Sequence, residues 1–317
     1  MINYSIIIPH KNIPILLQRC IDSIPQRDDL EIIIVDDNSN SNIVNFNQFP
    51  GLTRKNTHII FTKEGKGAGY ARNIGMKYAK GIWILFADAD DFFLNNLTNV
   101  LDSYKDTNSN IILFKTQCRI SNNINIVGKR HFLCNSWNKL IDNYNEKVYN
   151  PQILLSKVVV PWGKMIRKDF LLKYNIYFEE IMYANDVMWS TYLSINISPD
   201  DFIASPHTIY CLTENDNSLY NNQNHNAFLT RFKVLHRQRN VLNNYNIDNN
   251  ESINYPYYFN QAQKKGILVL IKAIYIAIKN NKQIDSIYDI EKQMKFKYPY
   301  LYFLIVILQA IYHKFKF

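Results

Sequence analysis

The feature that most constrains this chain is Gly81-Ile-Trp-Ile-Leu-Phe-Ala-Asp-Ala-Asp-Asp91, where an apolar run stops abruptly in three carboxylates, Asp88, Asp90 and Asp91. The run over residues 82–87 is short, β-branched and aromatic, and follows a glycine, so it predicts a buried strand. The carboxylates then stand where the strand leaves its sheet, the usual ligand position in open α/β sheets. Three anions this close repel one another, and a buried carboxylate is costly without a compensating cation or donor. An Asp-x-Asp pair suits Mg2+ or Mn2+ shared with a diphosphate, because these ions keep few protein ligands and take the rest from phosphate and water. The bland reading of the same letters is an Asp-rich turn capping the next helix.

The flanking pattern favours the metal reading. Ser5-Ile-Ile-Ile-Pro9 reads as a strand, residues 13–24 as a helix stopped by Pro25, and Leu30-Glu-Ile-Ile-Ile-Val35 as a second strand ending in Asp36 and Asp37. Two strands joined by a helix make a parallel βαβ unit whose strands end on one edge, so Pro9, Asp37 and Asp88 are expected along a single rim. A third strand over residues 58–62 leads into Gly65, Gly67 and Gly69, a glycine-rich loop expected to be mobile and to let backbone approach a ligand. Arg72 and Asn73 follow in the first turn of a helix starting near Tyr70, a setting that favours a nearby phosphate. The spacing fits neither a dinucleotide fingerprint nor a Walker loop.

Further on, residues 97–104 predict a helix, residues 110–115 a strand, and residues 120–127 a hairpin. Asp186 opens another helix, where an N-terminal charge is the plain explanation. Residues 214–225 read as an Asn-rich linker, and the remainder as helical. The division expected is therefore residues 1–213 and residues 214–317. The tail over residues 298–312 is apolar and tyrosine-rich with lysines around it. It is too short to span a membrane, and fits either an anionic membrane surface or a packed helix.

Composition narrows the partners. The chain carries a net charge of +9, which invites nucleic acid, an anionic membrane or a phosphorylated substrate. No nucleic-acid-binding module is present, so nucleic acid is not expected. Cys20, Cys118, Cys134 and Cys211 lack metal-site spacing and read as buried thiols of a reducing compartment. The N-terminus has neither the basic nor the apolar part of a signal peptide, so a cytoplasmic protein is expected.

Taken in order, Ser5-Ile-Ile-Ile-Pro9, Val35-Asp-Asp-Asn-Ser39, Gly69-Tyr-Ala-Arg-Asn-Ile-Gly75, the Asp88 stretch, Trp162-Gly-Lys-Met165 and Asn185-Asp186 resemble inverting family 2 glycosyltransferases of the GT-A fold. The resemblance covers about residues 1–213. It implies an α/β, Rossmann-like, mostly parallel sheet flanked by helices, here with a C-terminal helical extension. It further implies that Pro9 and Asp37 hold the base and ribose of a nucleotide-sugar donor, a UDP-sugar above others. Arg72 would lie beside the nucleotide or the carboxylates. Asp88 and Asp90 would form the Asp-x-Asp pair, with Asp90 the direct ligand of Mn2+ or Mg2+ and Asp91 supporting it. Asp186 would be the catalytic base. Asn185 departs from the usual Glu of this pair, and His10 and Lys11 depart from the usual aromatic-Asn pairing.

The resemblance implies transfer of one sugar, with inversion, to a hydroxyl of a glycan or lipid-linked saccharide in surface-polysaccharide synthesis; the basic, aromatic tail motivates a place on the inner face of the cytoplasmic membrane. Two other readings stand beside it. A sugar nucleotidyltransferase would also use a metal on an α/β sheet, but carries a glycine-rich loop after its first strand, where Pro9-His-Lys-Asn12 stands. A nucleotide-sugar-binding module without catalysis is the other, and intact Asp88, Asp90 and Asp186 argue against it.

Overall fold

The computed structural model describes residues 1–147, 150–215, 224–247 and 255–280. The chain divides into two compact units, Met1–Leu219 and Tyr220–Phe317. The apolar tail proposed to meet a membrane lies outside the described residues, as does most of the Asn-rich linker.

The first unit is built on one mixed sheet of nine strands: β1 (Tyr4–His10), β2 (Leu30–Asp37), β3 (Thr57–Thr62), β4 (Trp83–Phe86), β5 (Phe92–Phe93), β6 (Ile111–Ile120), β7 (Asn123–Val127), β8 (Lys164–Arg167) and β9 (Phe202–Glu214). Their order is β3-β2-β1-β4-β8-β6-β9-β5, with β7 paired to β6 outside that path. The β3-β2-β1-β4 half is parallel, as the βαβ pattern requires. Every residue of β2 is buried, which is how a near-continuous Ile/Val run sits in a parallel sheet covered on both faces. Antiparallel β8 separates β4 from β6.

Helices α1 (Pro14–Asp22), α2 (Ala68–Tyr78), α3 (Leu97–Tyr104), α4 (His131–Asn145), α5 (Pro151–Lys157), α6 (Lys168–Lys173) and α7 (Val187–Asn196) cover the sheet. One core gathers Ile6, Ile8, Leu85 and Tyr210 with α1 and α3; the other gathers Ile7, Phe86, Phe178 and Trp189 with α2, α5 and α7. All four cysteines are buried and unpaired.

The second unit contains α8 (His225–Asn244), α9 (Tyr255–Lys264) and α10 (Ile267–Asn280), with a core around Phe232, Phe259 and Ile274. No helix of the described residues is long and apolar enough to cross a membrane.

Candidate active site

Register builds the rim. Pro9 pairs with Val35 and His10 with Asp36, while Ile7 pairs with Phe86, so the chain leaving β4 at Asp88 comes out beside the end of β1. His10 is buried and donates from Nδ1 to Asp36 Oδ2 at 2.7 Å; its Nε2 accepts the Ile13 amide at 3.1 Å, at the start of α1. Burial alone would raise the Asp36 carboxyl, but the His10 and Ser39 hydrogen bonds outweigh it and hold Asp36 below its usual range.

The three carboxylates of the rim have different surroundings. Asp91 is 1% exposed. It accepts the Tyr210 hydroxyl at 2.8 Å and the Thr213 amide at 2.6 Å. Tyr210 in turn accepts the Asp88 amide at 2.9 Å and stacks on Trp162. Asp91, expected as a supporting metal residue, is therefore placed as an anchor tying the acidic turn to β9. Burial, then the charges of Asp90 and Asp88, push its carboxyl well above the usual range.

Asp88 and Asp90 are only partly buried. Asp88 Oδ1 receives Arg72 Nη2 at 2.5 Å, and Asp90 Oδ2 receives Asn215 Nδ2 at 3.0 Å. The Asp90 carbonyl is held by Arg19 and the Thr213 hydroxyl. Among the described residues, each of the two carboxylates keeps one oxygen without a protein hydrogen bond. Burial, then the Asp88 charge, push the Asp90 carboxyl up to about 6. Two adjacent oxygen donors in an excess of negative potential fit a Mg2+ or Mn2+ ion that completes its shell from a diphosphate. No group of three or more His, Cys, Asp or Glu among the described residues is arranged to hold an ion.

Arg72 connects this rim to the segment before α7. Its second arm, Nη1, donates to Asn185 Oδ1 at 3.0 Å, and its guanidinium lies 5.2 Å from the Phe178 ring centre. Asn185 thus supplies the acceptor that the departure from Glu put in question, without adding a charge. Asp186 starts α7 but makes no side-chain capping bond, so the helix does not account for it. It keeps part of its surface exposed. Burial raises its carboxyl, Arg72 opposes that, Asp88 adds to it, and Lys164 opposes it. Asp88, Arg72 and Asp186 therefore act on one another although they are far apart in sequence. Ala184, just before the pair, has φ of 57°, a costly conformation for a residue with a Cβ, and strain of this kind gathers at functional segments.

Residues 5–174, more than half of the chain, match the family described as Glycosyl transferase family 2. The chain belongs to this family. A stretch of 146 residues is 34% identical to the Escherichia coli UDP-Glc:alpha-D-GlcNAc-diphosphoundecaprenol beta-1,3-glucosyltransferase WfgD, covering 44% of this chain and 55% of that protein. Another of 93 residues is 39% identical to the Bacillus spizizenii poly(ribitol-phosphate) beta-glucosyltransferase, covering 28% of this chain and 15% of that protein. The chain thus spans only about half, or much less, of the curated relatives it matches. In fold it is similar to S. aureus TarS 1-349 in complex with UDP-GlcNAc, with a TM-score of 0.60 and 16% identity over 92% of this chain and 84% of that one.

In this family 2 chain the glycine-rich loop departs from expectation. A Cβ on Gly69 would sit 2.1 Å from the Glu179 carbonyl oxygen and 3.1 Å from Asn185 Cβ. Gly69 therefore makes room for the 179–185 segment rather than for a ligand. Asn73 grips the same segment, donating to the Phe178 carbonyl and accepting its amide, both at 2.9 Å. Asp37, expected at the base and ribose, is buried and accepts the Lys66 and Gly67 amides at 3.0 and 2.8 Å, which fixes the loop. Only Gly65 and Gly67, with φ of 63° and 97°, need glycine for their backbone.

Residues that sequence reasoning passed over complete the site. Arg19, Tyr210, Thr213 and Asn215 hold the acidic turn. Lys164, of the Trp162-Gly-Lys-Met165 motif, is 1% exposed and donates from Nζ to the Val158 carbonyl at 2.8 Å and to that of Val160. Burial pushes its ammonium down to about 7. A lysine between a tryptophan, a glycine and an apolar strand was the available signal.

Proposed function

We propose that this chain is an inverting glycosyltransferase that moves a sugar from a UDP-sugar to a hydroxyl of a glycan or lipid-linked saccharide in surface-polysaccharide synthesis. The observation that carries the reading is Arg72. It binds Asp88 of the acidic rim and Asn185 beside Asp186, so the carboxylates suited to a metal-bound diphosphate and the candidate base belong to one assembly.

In this reading each residue has a role. The UDP moiety takes the rim at the ends of β1 and β2, with the Asp37-fixed loop beside it and Pro9 at its floor. Asp88 and Asp90 would hold Mn2+ or Mg2+, which as a Lewis acid neutralises charge developing on the departing diphosphate. Asp91 keeps their turn in place and is not counted among the ligands. Asp186 takes the proton of the acceptor hydroxyl as that oxygen attacks the anomeric carbon; a carboxyl that burial raises above its ordinary range is a stronger base for this task. A single displacement turns an α-linked donor into a β-linked product. The names of the two relatives, both beta-glucosyltransferases, support this outcome and make UDP-glucose the first donor to try. WfgD, named for a diphosphoundecaprenol-linked acceptor, supports a lipid-linked acceptor. Residues 1–213 carry this chemistry, with the helical remainder serving the acceptor or an assembly contact.

The test is release of UDP from a panel of UDP-sugars with Mn2+ and with chelator. Metal-dependent release from one donor is expected. Neither release nor calorimetric binding of UDP by the wild type would turn the reading toward a module without catalysis.

A further inference from the structure

β7 is exposed along its whole length. Ile124, Ile126 and Val127 are 45%, 49% and 47% exposed, and Phe132, just past the hairpin, is 61% exposed. Three β-branched apolar side chains on a five-residue strand are uncommon without a partner, and an apolar patch of this kind marks an interaction site. The hairpin is also firmly based. Ser121 donates its amide to the Glu214 carbonyl at 2.9 Å, and the Arg130 amide donates to Glu214 Oε2 at 3.3 Å. At Gly128 a Cβ would lie 2.7 Å from Glu214 Oε2 and 2.8 Å from Cys118 Sγ. The apolar strand is thus held outward by a tightly packed polar base.

Charge indicates what it meets. Residues 107–141 contain no Asp or Glu; Lys115 and Arg130 pair with Asp142 and Glu214, and Arg119, Lys129 and Lys139 add positive charge to the stretch. Apolar side chains beyond a basic base match the layering of an anionic membrane, with acyl chains beneath phosphate headgroups. A second copy pairing through the same patch would set basic against basic.

We propose that the β6–β7 hairpin, with Phe132, docks the first unit on an anionic lipid surface, with Ile124, Ile126 and Val127 entering the interface. The site lies close by: the carbonyl of Ser121 accepts Arg19 Nη1 at 2.7 Å, and the same guanidinium holds the Asp90 carbonyl. Docking there would bring the acidic rim beside the lipid surface. The inference concerns where the protein works and stands whichever sugar it transfers.

The experiment is co-sedimentation of the full chain with vesicles of phosphatidylcholine, with and without phosphatidylglycerol. Binding is expected only to the anionic vesicles, and Ile124→Asn/Ile126→Asn should weaken it about tenfold or more. These side chains are exposed and outside the site, so thermal stability and UDP release should stay unchanged. In Ile126→Trp the introduced indole should shift its emission to the blue on anionic vesicles. Wild-type binding by the double variant, or no blue shift, overturns the proposal. A chain ending at residue 297 should keep hairpin-dependent binding; loss of all binding in it would assign the surface to the tail instead. Self-association without lipid that the double variant abolishes, with vesicle binding intact, would assign the patch to a second copy.

Discussion

Replacing Asp90 by Asn tests whether the acidic rim is held together at an electrostatic cost. The Asp90 carboxyl lies at about 6 instead of 3.8, because burial and the neighbouring Asp88 charge both disfavour ionisation. At about 1.36 kcal/mol per tenfold change in proton affinity, the ionised form costs up to about 3 kcal/mol. The folded chain binds this proton more tightly than the unfolded chain. The resulting stability is therefore fully present below 3.8 and is lost as pH rises through about 6. Asn keeps an oxygen for the Asn215 amide at 3.0 Å and carries no charge, and it also relieves Asp91, whose carboxyl the Asp90 charge raises. Urea unfolding in chelator should show the two proteins alike near pH 4. Near pH 8 the variant should be more stable by up to about 3 kcal/mol, a melting rise of roughly 2–4 °C per kcal/mol for a domain of this size. Mn2+ with UDP should then raise the melting point of the wild type and not of the variant. A variant less stable than wild type near pH 8, or a difference independent of pH, would refute the reasoning.

Three further outcomes follow from the same contacts. Asp186→Asn should lower kcat by about 10²–10⁴-fold with UDP-sugar binding intact, measured by turnover and calorimetry, and full turnover would remove the base assignment. Gly69→Ala puts a Cβ 2.1 Å from the Glu179 carbonyl, so it should cost about 1–3 kcal/mol in denaturation and lower kcat by displacing the 179–186 segment; wild-type values in both would deny that packing. Lys164→Met removes a cation that favours ionised Asp186, so the acid limb of the pH–rate profile should move to higher pH, and an unmoved limb would show that Lys164 acts on the fold alone.

The parallel half of the sheet and its rim were legible because strands buried on both faces leave continuous apolar runs, as in residues 30–35 and 82–87. The hairpin near residues 120–127 showed through its alternation. Helix α4 did not, since it buries only Cys134 and Ile141 behind a surface of Asn, Lys and Ser. Strand β9 was hidden by Ser205-Pro206-His207, where its pairing with β6 slips in register between Leu113 and Lys115. That strand supplies Tyr210 and Thr213, so half of the support for the acidic turn was unreadable. Gly69 and Asn73 were misread for a different reason: local spacing marks a phosphate loop, whereas their partners lie far along the chain, Glu179 against Gly69 and Phe178 against Asn73, the latter 105 residues away.

The departure at Asn185 makes sense in terms of charge. Arg72 serves Asp88 directly and acts on Asp186, which also feels the buried Lys164. A carboxylate at 185 would compete with Asp88 for Arg72 and add a further anion beside Asp186, whose ionisation burial already disfavours. A side-chain amide keeps the 3.0 Å bond from Arg72 Nη1 and leaves the Nη2 bond to Asp88 undivided. The planar guanidinium serves two acceptors on different segments at fixed separation, a geometry that the point charge of a lysine does not reproduce. Its Nε is buried without a hydrogen-bond partner, so Arg72 is held there for this bridge at the expense of one unsatisfied donor. The base segment and the acidic rim are thereby placed by one side chain, and the site can lose Glu at 185 and keep its arrangement.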